Sequence, residues 1–363
     1  MLSSLGWNDF FANQLAELHY QPETDTIGRV LGRMQNTFLV HTGSGQQEAL
    51  LSGAFRHRNV HQAGRPVVGD WVITRPGDGD GPPVIHILLE RKSSISRLAP
   101  GAQADTPSAG GLLFSDRARH LIAANIDVAF IVMALDDGFS VRRLERFLIS
   151  VHDGDISPVI VLNKADLADD VEQRVREVQR VVGDAPVHVF TATSADAAPE
   201  LEEYTKAGET VAFLGTSGVG KSTLTNLLLQ GEVQEIGGVR ETDMRGRHTT
   251  TERSMHPLAH GGWVIDNPGV REFQPWASER GLRKTFADIY ALAGQCQFRG
   301  CAHDQEPGCA VKAALAAGEL DPERFANYQV LHTELGGQDS GRGQRPQRSG
   351  RRQPPRGNRR RRR

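Results

Sequence analysis

Cysteine is scarce in this 363-residue chain: there are three, all between Cys296 and Cys309. An odd, clustered set without a secretory context argues against a disulfide framework and for metal coordination. Long apolar runs are also missing. The longest, Val128 to Leu135, falls far short of the roughly 20 residues that cross a bilayer, so no membrane contact is expected. The N-terminal MLSSLGWNDFFANQL has neither a basic n-region nor a long apolar stretch, so no secretory signal is expected and a cytoplasmic location is. Nor does one sign of charge dominate, with 42 basic and 44 acidic side chains and a formal net charge of -2.

That balance conceals an asymmetry. Eleven arginines and no acid lie in Ser340 to Arg363, and removing them leaves the rest of the chain at -13. An acidic body with a basic tail reads as a soluble protein with a polyanion-binding appendage. Hydrophobic residues at 38% and 39 glycines exclude wholesale disorder. At about 150 residues per domain, the length suggests two or three domains.

From Thr24 to Arg97 the runs IGRVLGRM, TFLVHT, EALLSGAF, VVGDWVIT and PPVIHILLE are separated by Gly, Asn, Asp and Pro, which predicts a small antiparallel barrel. An OB-type barrel fits five strands and often binds oligonucleotides; a barrel with no such role fits the count as well. The small, polar segment around AQADTPSAGG reads as a linker or mobile loop over 99–117. Beyond it, strand-like runs at Asp127–Leu135, Pro158–Leu162, Val187–Phe190, Thr210–Leu214 and Trp263–Ile265 alternate with helical patterns such as VRRLERFLISVH and DDVEQRVREVQRVV. Such alternation predicts βα units on a mostly parallel sheet.

Thr210 to Thr223 reads TVAFLGTSGVGKST, a strand, the loop Gly215-Thr216-Ser217-Gly218-Val219-Gly220-Lys221-Ser222-Thr223, and a helical run. This is the GxxxxGK[ST] phosphate-binding loop in its strand–loop–helix context. Its glycines let backbone N–H groups surround phosphates, Lys221 reaches the β- and γ-phosphates, and Ser222 offers a hydroxyl to Mg²⁺. Asn163-Lys164-Ala165-Asp166 follows another apolar strand. One carboxylate there, Asp166, accepts from both the ring N–H and the exocyclic amine of guanine, whereas adenine would leave it unpaired, so GTP is favoured over ATP. Ser194 and Ala195, past the strand VHVF, are placed to give a backbone amide to the guanine carbonyl.

GGWVIDNPG puts Asp266 at a strand end, suited to hold Mg²⁺ through water, with the Gly269 amide facing the γ-phosphate. Between this strand and the phosphate-loop helix, GGVRETDMRGRHTTT reads as a switch segment. Thr249 and Thr250 are its candidate Mg²⁺ ligands. The position where many GTPases carry a water-orienting Gln is Val270, so weak unassisted turnover is expected. His248 is the candidate to orient water instead, an RNA-facing or merely exposed role standing beside it. Because Asn163 precedes Gly215, the motif order is that of a circular permutation, which joined chain ends make possible.

Cys296-x4-Cys301-x-His303-x5-Cys309 supplies three thiolates and one imidazole, a closed Cys₃His set suited to one structural Zn²⁺. Asp304 and Glu306 beside it are expected to be solvated. AVKAALAAGEL and PERFANYQVLHTEL then read as helices. The organisation expected is therefore a multidomain α/β and β protein: an OB-like barrel with an N-terminal extension at 1–98, the linker, a permuted α/β P-loop GTPase domain at 118–280, a zinc-binding helical domain at 281–336 and a disordered Arg-rich tail at 337–363.

Taken in order, the barrel, NKAD, GTSGVGKST, GRHTTT, DNPGVREF and the Cys₃His cluster resemble the circularly permuted ribosome-assembly GTPases known as ribosome small subunit-dependent GTPase A, over roughly Thr24 to Leu335. The resemblance implies GTP hydrolysis stimulated by the small ribosomal subunit, contact with its rRNA and a role in late subunit maturation, by a monomer using GTP/GDP with Mg²⁺. A GTP-gated RNA-binding switch with little turnover is the alternative. Asn267 stands where the family commonly has Thr, and the Arg-rich tail is not a general family feature.

Overall fold

The structure, a computed structural model, describes residues 2–18, 20–58, 64–79, 81–98, 119–191, 197–229, 254–266 and 278–335. The expected linker at 99–117 and the Arg-rich tail lie outside these residues.

Ahead of the barrel, α1 (Asp9–Ala12) starts at Asn8, whose side chain accepts from Phe10 N. Its Phe11 and the preceding Trp7 pack around Trp71, with ring centroids 5.6 and 4.9 Å away. The barrel consists of β1 (Thr26–Met34), β2 (Thr37–Thr42), β3 (Gly45–Leu51), β4 (Trp71–Arg75) and β5 (Val84–Leu88). β1 pairs antiparallel with β2 and β4, β2 with β3 and β4 with β5, while β3 runs parallel to β5. The ladder thus closes in the order 1-2-3-5-4, the OB-like arrangement, and closure removes the free edges that a sheet would expose. Val30, Phe38, Val40, Ala49, Val72 and Ile85 fill it.

Two of the expected runs are shorter as strands than the sequence suggested. EALLSGAF divides at Ser52, whose Oγ accepts from Phe55 N at 3.1 Å and starts α2 (Gly53–Arg58). In VVGDWVIT the strand begins only at Trp71, because the Asp70 carboxylate accepts from Val67 N at 2.7 Å and folds Val67–Asp70 into a turn. Gly69 in that turn (φ +90°) is required: a Cβ there would lie 2.0 Å from the Ala124 carbonyl oxygen.

β6 (Ser94–Leu98) pairs antiparallel with β7 (Arg119–Ala124), which leads into the larger sheet. That sheet runs β10 (Val187–Val189), β9 (Ser157–Asn163), β8 (Val128–Ala134), β11 (Thr210–Leu214), β13 (Trp263–Asp266), β12 (Ser254–Pro257) and continues from β12 into β1 of the barrel, Gly32 opposite Ser254. The first five are parallel and β12 is antiparallel. Period-two alternation splits each central strand between two cores: Ala129, Ile131 and Met133 face one, Phe130, Val132 and Ala134 the other. Both faces are apolar because helices cover both. On the first lie α3 (Val141–Asp153) and α4 (Val171–Val182), on the second α5 (Ala197–Glu202) and α6 (Lys221–Leu229). In α3 the stripe Leu144, Phe147, Leu148, Val151 has helical spacing and is fully buried. The chain enters at β8, runs outward to β10, returns to the centre at β11 and crosses to β13, which is how the permuted order is accommodated.

Barrel and sheet are joined at Arg29, 1% exposed. Its guanidinium donates to the carbonyls of Leu5, Gly69 (3.2 Å) and Asn125 (2.9 Å), three separate segments. Burial draws its pKa down to about 10, partly offset by the Asp127 and Asp70 charges, and the three carbonyls take its hydrogen bonds.

Four helices follow: α7 (Glu279–Thr285), α8 (Ala287–Ala293), α9 (Ala310–Ala317) and α10 (Pro322–Glu334). They enclose a core of Leu282, Phe286, Ile289, Val311 and Leu331 that reaches Ile149 of α3. α7 comes so close to α3 that a Cβ on Gly281 would lie 2.2 Å from the Ile149 carbonyl oxygen. His152 Nδ1 lies 2.9 Å from Thr285 Oγ1, and Ser278 Oγ donates to Asp153.

Candidate functional site

β9, β11 and β13 end at Asn163, Leu214 and Asp266, and since they run parallel these ends share one edge of the sheet. Open α/β sheets bind ligands outside that edge. The phosphate loop turns there through three left-handed glycines, Gly215 (φ 144°), Gly218 (φ 81°) and Gly220 (φ 104°). At Gly215 a Cβ would lie 2.4 Å from the Val132 carbonyl oxygen, whereas at Gly218 it would meet open space. The first glycine lets the loop pass against β8; the second keeps its rim clear for a ligand. α6 begins at Lys221, so its free N–H groups point at that space.

Lys221 folds back over the loop, its Nζ donating to the carbonyls of Gly215 (2.9 Å) and Thr216 (2.6 Å). Burial lowers its pKa. An ammonium drawn out of water with only neutral carbonyls for partners gains from an incoming anion. Ser222 and Thr223 follow it, both exposed.

Asn163 is 1% exposed, and its Nδ2 donates to the Val219 carbonyl at 2.7 Å, tying β9 to the phosphate loop. Its Oδ1 is equally buried and takes no hydrogen bond within the described residues. Lys164 adopts the left-handed conformation (φ 60°, ψ 41°), and the chain then turns through Ala165–Leu167. Asp166 is exposed and accepts from Thr191 Oγ1 at 3.0 Å. A cleft of about 280 Å³ is lined by Asp136, Gly138, Arg143 and Lys164 together with Thr216–Val219. Asp266 is half-buried, cross-strand from Ser254.

Ser194, Ala195, His248, Thr249, Thr250, Asn267, Gly269 and Val270 lie outside the described residues. Sequence reasoning did not single out Asp136, Arg143 or Thr191. For Asp136 a signal existed: it directly follows the apolar run of β8 and so falls on the same sheet edge.

The second site lies between α8 and α9. Cys296 Sγ stands 3.9 Å from Cys309 Sγ and 3.7 Å from His303 Nδ1, His303 Nδ1 stands 3.3 Å from Cys309 Sγ, and with Cys301 the four donors lie within 4.8 Å of one another. Tetrahedral coordination at about 2.3 Å places sulfurs about 3.8 Å apart, so these residues fit one metal ion. His303 (φ 61°), Gly300 (φ 74°) and Gly308 (φ 68°) give the loop its left-handed bends. Glu306 differs from expectation: it is not simply solvated, since its two oxygens accept from Ala302 N and Asp304 N, each at 3.0 Å. Those backbone bonds hold its pKa down to about 2 and make it the brace of the ligand loop.

Comparison with known proteins agrees with the fold. The family model described as RsgA GTPase matches residues 111–276. The small ribosomal subunit biogenesis GTPase RsgA 2 of Vibrio parahaemolyticus is 41% identical over 92% of this chain and 85% of its own length. The crystal structure of YjeQ from Thermotoga maritima superposes with a TM-score of 0.61 at 28% identity, covering 86% of this chain and 99% of that one. YloQ, a circularly permuted GTPase, shares the fold with a TM-score of 0.60 at 24% identity, over 88% of this chain and 97% of its own.

Proposed function

The chain belongs to the RsgA GTPase family and is a GTPase, and from that membership we propose that it acts on the small ribosomal subunit, assisting late maturation and hydrolysing GTP to GDP and phosphate when the subunit activates it. The observation that carries this reading is the bond from Asn163 to Val219. It makes the guanine-selecting loop and the phosphate loop one rigid receptor, so base and phosphates are held in register.

In this receptor Asp166 takes the guanine N–H groups, the amides of Gly215 to Gly220 with the N-terminus of α6 hold the phosphates, and Lys221 leaves its carbonyl partners for the β- and γ-phosphates. Ser222 and Asp266, with Thr249 or Thr250, would hold Mg²⁺, which when bound neutralises phosphate charge. From the sequence pattern, the roles proposed for the remaining candidates are a backbone amide from Ser194 or Ala195 for the guanine carbonyl, an amide from Gly269 for the γ-phosphate and orientation of the attacking water by His248. No Gln stands after Gly269 to do so, Val270 being there, which makes turnover depend on the subunit.

The Cys₃His cluster suits Zn²⁺ by its soft thiolates and tetrahedral spacing. With four protein ligands no position is left for substrate, so the ion contributes folding energy rather than chemistry. The functional units proposed are the barrel (1–98) as an rRNA-contacting module, the GTPase unit (118–280), the zinc lobe (281–336) and the tail (337–363), whose arginines bind phosphate backbone by counterion release. A monomer in the cytoplasm is part of the same proposal. Among the described residues no helix is long and apolar enough to cross a membrane.

The test is multiple-turnover GTP hydrolysis by the full chain, alone, with purified small subunits and with large subunits. Strong stimulation by small subunits alone is expected. GTP binding with no stimulation would leave a nucleotide-gated RNA-binding module in its place.

A further inference from the structure

The loop after β8 carries an acid that nucleotide binding, as described above, does not use. The Asp136 carboxylate is fixed from its own loop: Oδ1 accepts from Gly138 N at 2.9 Å. Its main chain is fixed too, the carbonyl accepting from Arg174 at 3.1 Å and from Phe139 N at 3.0 Å. The residue before it, Leu135, donates to the Asn163 carbonyl at 2.8 Å, tying the loop to the end of β9. Arg174 itself is held, stacked 5.4 Å from the Phe139 ring and paired with Asp170 at 2.8 Å.

The second carboxylate oxygen, Oδ2, meets Lys164 Nζ at 3.3 Å. Lys164 is anchored differently. Its backbone sits in the left-handed region, and Ala165 N holds the turn to the Phe190 carbonyl at 3.2 Å. Its four-carbon side chain meets the described residues at its tip through Asp136, and a free lysine stem samples many rotamers that binding would have to freeze. Both residues line the cleft, as do Thr216–Val219. About a third of each side chain is exposed, so the ion pair contributes little to stability. Its geometric effect is larger, because a rigid acid fixes a flexible cation at the mouth of the receptor.

We propose that Asp136 is a positioning residue for nucleotide binding, fixing the tip of the Lys164 side chain at the cleft before the nucleotide arrives. The inference rests on the proposed nucleotide site. Preorganisation of one long side chain corresponds to roughly a 2- to 10-fold change in affinity. The proposed effect runs through Lys164, and the loop-shaping bond from Gly138 N is told apart from it by Asp136→Asn and by the Lys164 background.

The experiment is a double-mutant cycle on the full chain, read as the dissociation constant of a fluorescent GDP analogue, with the urea midpoint of the nucleotide-free protein measured in parallel. Asp136→Ala is expected to weaken binding about 5-fold with an unchanged midpoint. Asp136→Asn, which keeps an acceptor for Gly138 N but loses the charge, should show most of that loss. In a Lys164→Met background, Asp136→Ala should cost nothing further. An equal loss in both backgrounds, no loss in either, or wild-type affinity in Asp136→Asn would overturn the proposal. Failure of the unmutated protein to bind GDP at all would instead overturn the nucleotide-site reading beneath it.

Discussion

The Asn163 side-chain amide and the Val219 carbonyl, 56 positions apart in the chain, meet at 2.7 Å in a site where Asn163 is 1% exposed. Replacing Asn163 by Ala leaves that carbonyl buried without its donor, at a cost of about 1–3 kcal/mol. GDP affinity should fall roughly 10-fold or more, because the two loops no longer share a register. Titration with a fluorescent GDP analogue measures it; unchanged affinity would remove the bond from any part in binding.

His152 gives the fold a dependence on pH. Burial, and then the nearby Lys284 ammonium, hold its pKa down to about 4, against about 6.5 in an unfolded chain. The folded state therefore disfavours the proton. Its contribution is complete above pH 6.5 and is lost as pH falls from there toward 4, by about 3 kcal/mol in all. Urea midpoints taken between pH 7.5 and 4.5 should decline over that window, and less steeply in His152→Gln. Parallel declines in the two proteins would show that other groups are responsible.

Glu145 of α3 and Arg324 of α10 form an ion pair at 2.7 Å with side chains only 2% and 8% exposed. Arg324 also reaches Asp288 at 2.7 Å, and Asn327 donates to Glu145. Removing Glu145 alone should destabilise by about 3 kcal/mol, since it strands part of the Arg324 charge. Replacing Glu145 and Arg324 together with Leu should cost less than Glu145→Ala. If the double variant is the worse of the two, the pair contributes net stability.

Metal analysis of the purified chain should find about one Zn²⁺ per molecule. A strong chelator should lower the thermal midpoint and remove part of the helical circular dichroism. Cys309→Ala should lose the metal and, because Cys309 Sγ also accepts from Lys312 N at the start of α9, should not regain full helicity when zinc is added. Full metal content in that variant would remove Cys309 from the ligand set.

His248→Ala should lower subunit-stimulated kcat about 100-fold, the low end for a lost water-orienting group, with GDP affinity little changed. Unimpaired stimulated turnover would assign His248 elsewhere.

Strands β8, β9 and β11 were legible because each is an apolar run with a helix period behind it, and the phosphate loop because its glycines are needed for backbone shape. Other elements left weaker traces. Strand β6 finds its partner β7 only across the stretch at 99–118, so no local turn signal links Ser94–Leu98 to Arg119–Ala124. Helices α7 and α8 do carry a signal, the Ser278 cap followed by Leu282, Phe286 and Ile289 at helical spacing, but the cysteines beside it drew the reading toward metal. Glu306 looked like an ordinary exposed acid, because nothing in the sequence announces a carboxylate that bonds two backbone amides. Asp136 was hidden for a similar reason: its partner Lys164 is distant in sequence, and only the adjacency of β8 and β9 brings the two together.

Helix α3 belongs to two lobes at once. Its first turn carries Arg143 at the cleft, and its last turns carry Ile149, His152 and Asp153, pressed against α7 with no room for a side chain on Gly281. An α-helix of 13 residues is a stiff rod about 20 Å long. The lobe that holds the cysteines therefore cannot swing against the sheet without unseating that rod from the rim of the cleft. A chain that looks like three hinged bodies has one joint fewer than it shows.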